Sequence, residues 1–88
     1  MTKAQTKAAI QALGLVVKWS SDLGEWRVTV PPGSVHHIKA VDDAAREAMA
    51  IYTDAADDAL ASARALRASL EQNPPPGFRA PWAARHAV

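Results

Sequence analysis

The sequence predicts an α+β domain in the order α-β-β-β-α: a short N-terminal helix, an antiparallel hairpin with a third strand, and a C-terminal helix. Three observations predict it. Residues 15–19 and 26–30 are rich in β-branched and aromatic side chains and flank Ser21-Asp22-Leu23-Gly24, a turn-forming group. Thr53 followed by Asp54, Asp57 and Asp58 has the chemistry of a helix start, a capping hydroxyl with carboxylates at the positive end of the backbone dipole. Asn73-Pro74-Pro75-Pro76-Gly77 then ends regular structure, because successive prolines lack amide donors. Residues 1–72 therefore read as one compact domain and residues 73–88 as a disordered Pro-rich tail.

Taken in order, residues 2–13 read as an amphipathic helix with Thr2 at the N-cap, Thr6, Ile10 and Leu13 on one stripe, and Gly14 at the stop position. A helix this short is marginal alone in water, so Ile10 and Leu13 must dock on something. In the hairpin, a turn over residues 21–24 sets Trp19 opposite Trp26, Val17 opposite Val28 and Leu15 opposite Val30, giving one apolar face. Val16, Lys18, Arg27 and Thr29 fall on the other, which is expected to be wet. Pro31 and Pro32 end the second strand.

From Val41 the pattern is helical: Val41, Ala45, Ala48, Tyr52, Ala56, Ala59, Ala63, Leu66 and Leu70 recur every three or four residues. One continuous helix over residues 42–72 satisfies that pattern. A strand ending at Tyr52, followed by a helix opening at Thr53, satisfies the capping chemistry instead. The junction is preferred, since a cap and a group of acids are redundant inside a continuous helix.

Composition narrows the function. The chain has 88 residues and no cysteine, which excludes disulfides, a thiol nucleophile and thiolate metal sites and fits a reducing, cytoplasmic setting. No apolar run approaches the roughly 20 residues of a membrane span, and no membrane partner is expected. The net charge of +1 conceals an asymmetry. Residues 1–40 are basic, with Lys3, Lys7, Lys18, Arg27 and Lys39 against Asp22 and Glu25, whereas residues 41–72 carry seven acids against Arg46, Arg64 and Arg67. An acidic second half suits a protein partner with a basic surface better than a nucleic acid.

No catalytic, cofactor or metal site is expected, and the chain does not read as an enzyme. His36 and His37 are adjacent, so on an extended backbone they diverge, and a closed metal site needs three or four converging ligands. Asp54, Asp57 and Asp58 lack the glycine and closing glutamate of a calcium loop, and read as partner contacts. Phe78 and Trp82, in a tail without a core, are candidate anchors that order on binding. The alternative function is a nucleic-acid module gripping phosphate through Lys3, Lys7, Lys18 and Arg27. A helix, a hairpin and a further helix resemble a double-stranded-RNA-binding domain in outline, but the start of the last helix, basic in such domains, is acidic here.

The run Glu47-Ala48-Met49-Ala50-Ile51-Tyr52-Thr53-Asp54, continuing through Asp57-Asp58-Ala59-Leu60 to Ala63, together with the hairpin over residues 14–30, resembles small proteins of proteobacterial mobile elements. These share a tyrosine-threonine-aspartate strand-to-helix junction and an acidic, alanine-rich helix. The resemblance implies a strand at residues 47–53. This chain departs in a longer connection over residues 34–46 and in Ala55, where a second aspartate is usual. Some members resemble the QseM-type antiactivators of integrative and conjugative elements. That implies a quorum-sensing regulator that binds a transcriptional activator and restrains horizontal gene transfer, with an oligomerising element protein as a further alternative.

Overall fold

The structure, a computed structural model, describes residues 1–82. Its elements are α1 (Lys3–Gln11), β1 (Val16–Ser20), β2 (Glu25–Thr29), α2 (Lys39–Ala48), β3 (Ile51–Thr53) and α3 (Ala56–Gln72). The three strands form one antiparallel sheet in the order β1-β2-β3. The α+β class holds, while the order becomes α-β-β-α-β-α.

α1 begins with a reciprocal capping box: the Gln5 amide donates to Thr2 Oγ1 at 3.1 Å and the Thr2 amide donates to Gln5 Oε1 at 2.8 Å. Thr6 and Ile10 are buried, and Leu13 packs against the core just before Gly14 turns the chain at φ +84°. The hairpin adopts the register expected from its turn, with Trp19 opposite Trp26 and Val17 opposite Val28. Gly24, at φ +64°, closes the turn by donating to the Ser20 carbonyl at 2.8 Å. The Trp19 and Trp26 rings lie 5.1 Å apart.

α1 and α3 pack on the apolar face of this sheet. Between them lie Ile10, Leu15, Val17, Trp26, Val28 and Val30, with Ala59, Leu60, Ala63 and Leu70 from α3. Alanines at residues 59 and 63 allow the helix backbone to approach the sheet closely, leaving room for the Trp26 indole.

The structure corrects four expectations. First, residues 39–48 are helix, so the third strand shrinks to Ile51–Thr53, where Trp26 pairs with Thr53, Arg27 with Tyr52 and Val28 with Ile51. The connection that lengthens this chain has folded into α2, and only three residues remain to reach the edge of the sheet. Second, the N-cap of α3 is Ala55, without a side-chain bond; Thr53 Oγ1 instead accepts the Ala55 amide at 3.3 Å, shaping the turn two residues earlier. Third, the sheet face expected to be wet is dry at one end. Thr29 is fully buried and its hydroxyl donates to the Arg46 carbonyl at 2.7 Å, while Arg46 Nε donates to the Val30 carbonyl at 2.8 Å.

Fourth, residues 73–82 are not a free tail. They fold back over the domain: the Arg79 amide donates to the Ser34 carbonyl at 2.7 Å, and Trp82 is 8% exposed. A Cβ on Gly14 would stand 3.3 Å from the Trp82 ring, so the absent side chain makes the slot, and Arg67 lies over the ring at 5.1 Å. Prolines stiffen the segment and lower the entropy lost on ordering it. The remainder of the predicted tail, residues 83–88, lies outside the described residues.

Candidate protein-binding surface

β3 ends at Thr53 and α3 begins three residues later, so Asp54 falls in the bend and Asp57 and Asp58 in the first helical turn. All three carboxylates are exposed. None of them enters an ion pair among the described residues, whose pairs are Arg27 with Glu47, Lys39 and Arg46 with Asp43, and Arg67 with Glu71. The α3 helix start lies beside Asp57 and Asp58, and the oxygens of all three carboxylates remain open to a cation from outside.

Beside this ridge stands Tyr52, on the solvent face of β3 and 47% exposed. Its hydroxyl donates to Glu47 Oε1, while Arg27 Nη2 donates to Glu47 Oε2 at 2.7 Å and Arg27 Nε to the Tyr52 hydroxyl at 3.2 Å. The bonds from Tyr52 and then Arg27 hold the Glu47 carboxyl below the usual range, and Glu47 in turn raises the Arg27 guanidinium. This brace fastens the end of α2 to β2 and β3.

The four cations of the nucleic-acid alternative do not converge. Arg27 is committed to the brace with its side chain 29% exposed, which leaves Lys18, its cross-strand neighbour, as the one uncommitted cation of the four on that face of the sheet. Lys3 and Lys7 belong to α1 on the opposite side, where the Lys3 ammonium sits 4.1 Å from the Trp19 ring centroid. Trp19 and Trp26 face the helices and offer no platform for bases. Phe78 and Trp82 are withdrawn as partner anchors: their rings lie 5.9 Å apart, with Trp82 buried and Phe78 packed against the core.

His36 and His37 stack at 4.4 Å, and His36 Nδ1 accepts the Ile38 amide at 3.0 Å. With Gly33, Lys39, Asp43 and Arg46 they line an open pocket of about 450 Å³. No group of three potential metal ligands occurs among the described residues. No helix there is long and apolar enough to cross a membrane.

One residue escaped the sequence reading. Asp42 is 3% exposed, and its carboxylate accepts the amides of Gly33 at 2.8 Å, Val35 at 2.9 Å and His36 at 3.0 Å. Three amides converging on one carboxylate, the Gly33 bond foremost, hold its pKa below the ordinary value. The bonds lock the loop after β2 onto the first turn of α2. Its signal in the sequence is only an aspartate early in a helix after a Pro-Gly turn, too common a pattern to stand out.

No protein-family model matches this chain, and no characterised protein or solved structure matches it significantly.

Proposed function

We propose that this chain is a small cytoplasmic regulator that binds a transcriptional activator and blocks it, restraining transfer of a mobile element, as its resemblance to antiactivators implies. The observation that carries this reading is the ridge of Asp54, Asp57 and Asp58, three exposed carboxylates without ion pairs among the described residues. Carboxylates on a rigid helix start match the cations of a DNA-reading surface, and occupying that surface excludes the phosphates it would otherwise meet. The exposed Tyr52 ring adds apolar contact beside the charge. The scattered cations argue against the chain gripping nucleic acid itself.

The test is a double charge reversal, Asp57→Lys with Asp58→Lys, titrated by calorimetry against the activator captured from the native host. Affinity is expected to fall at least about tenfold with circular dichroism unchanged, while the melting temperature drops by only about 5–10 °C, the cost of placing two lysines at the positive end of the α3 dipole. Unchanged affinity with an intact fold rejects this surface. Tight, salt-sensitive binding of the wild-type chain to random duplex DNA would reject the protein-partner reading itself.

A further inference from the structure

Residues 33–36, between β2 and α2, are gripped from two sides. The amides of Gly33, Val35 and His36 donate to the Asp42 carboxylate on α2, while the Ser34 carbonyl among them accepts the Arg79 amide at 2.7 Å from the C-terminal segment. Among the described residues, these are the only hydrogen bonds that tie residues 32–37 to anything beyond the loop itself. The segment supplying the Arg79 amide has a separate anchor. Trp82 fills the slot at Gly14, and Arg67, lying over its ring, also donates Nη1 to the Leu13 carbonyl at 3.3 Å. Between α3 and that slot the segment crosses the loop closely: a Cβ on Gly77 would stand 3.9 Å from the Val35 carbonyl oxygen. One strap thus runs from the end of α3, over residues 33–36, to the turn between α1 and β1.

We propose that this strap is a latch on α2. A loop without regular structure loses conformational freedom when either tie forms, and the second tie then forms at a smaller entropic cost. Trp82 in its slot holds Arg79 against Ser34, which keeps the neighbouring amides aimed at Asp42. With the ring withdrawn, residues 33–36 gain freedom and the clamp on the first turn of α2 weakens. The coupling is reciprocal, so loss of the Asp42 clamp loosens Trp82 in turn. Its two states are strap docked and strap released, and it is carried by the alternation of amide and carbonyl partners along four residues. At its far end α2 carries Glu47, braced to Arg27 and Tyr52, so the latch reaches the outer face of the sheet. The coupling is independent of what the acidic ridge binds.

Hydrogen exchange of the full chain, followed by NMR, tests both directions. Arg79→Pro deletes the donor to Ser34 at a position whose side chain is exposed, and exchange over residues 39–48 is expected to quicken about fivefold, the effect of one hydrogen bond. In Asp42→Asn the indole N–H of Trp82 should exchange about fivefold faster, although the slot belongs to other elements than α2. Adding Arg79→Pro to Asp42→Asn should quicken α2 no further, because the clamp is already open. Val17→Ala, which weakens the core on β1 away from both ties, should leave the two signals as in the wild type. Wild-type exchange of α2 in Arg79→Pro, a Trp82 indole indifferent to Asp42→Asn, effects that simply multiply in the double variant, or equal quickening by Val17→Ala overturns the proposal. Should one of the two variants fail to fold, the other decides, since they lie on different elements.

Discussion

α2 and α3 are consecutive helices separated by a three-residue strand, both rich in alanine, and they are held to the same domain by opposite means. α3 turns Ala59, Leu60, Ala63 and Leu70 to the sheet and leaves Asp57, Asp58 and Arg64 in water, so burial of apolar area holds it. α2 is held mainly by polar ties: the Asp42 carboxylate to three loop amides, Arg46 to the Val30 carbonyl, Thr29 to the Arg46 carbonyl, and Glu47 to Arg27. The difference teaches that an apolar period announces a helix without saying which side of it is covered.

The sharpest way to break the comparison is to strike each attachment separately. Trp26 is 1% exposed beneath α3, and Trp26→Ala removes the largest buried side chain. The expected cost is about 3–5 kcal/mol, comparable with the whole stability of so small a domain, and circular dichroism should show a largely unfolded chain. Asp42→Asn should act more locally. We expect the melting temperature to fall by roughly 10 °C and amide exchange to quicken over residues 33–48, while β1 and β2 keep their protection. Equal loss of protection everywhere would show that α2 and the sheet unfold as one unit.

The same aspartate gives the comparison a pH dependence. Its folded pKa is depressed, so its contribution is fully present above the unfolded value of roughly 4 and is lost as pH falls through the folded value. Wild-type melting temperature should therefore drop below about pH 4 more steeply than that of Asp42→Asn. The smallest effect is expected from Arg27→Met, because the pair with Glu47 is partly exposed, at 29% and 55% of the two side chains. Melting should shift by no more than about 3 °C.

The hairpin and its register were legible because turn chemistry and alternation at residues 15–30 are local signals that specify the same pairing. The break before α3 is legible from its acids, although the hydroxyl of Thr53 shapes the turn two residues ahead of the N-cap, Ala55. α2 was hidden because Val41 and Ala48 continue the spacing of Ala59, Ala63 and Leu70, and nothing in a spacing records that the first pair faces water. Trp82 misled for a related reason: proline runs announce the end of helices and sheets, yet an aromatic ring needs only a slot. That slot depends on Gly14, far away in sequence. Of the candidate site, the exposure of the acids was foreseeable from their place in a first turn. The commitment of Arg27 was not, since Glu47 lies 20 residues away.

The meeting of Trp82 with Gly14 and Arg67 also sets a timetable for the newborn chain. The Gly14 wall of the slot is synthesised before α3, and its occupant follows only after the whole of that helix. Until residue 82 is outside the exit tunnel, the nascent domain carries an unfilled apolar notch beside Leu13. The interval between the emergence of Gly14 and that of Trp82 is thus when this domain is most open to capture by a chaperone.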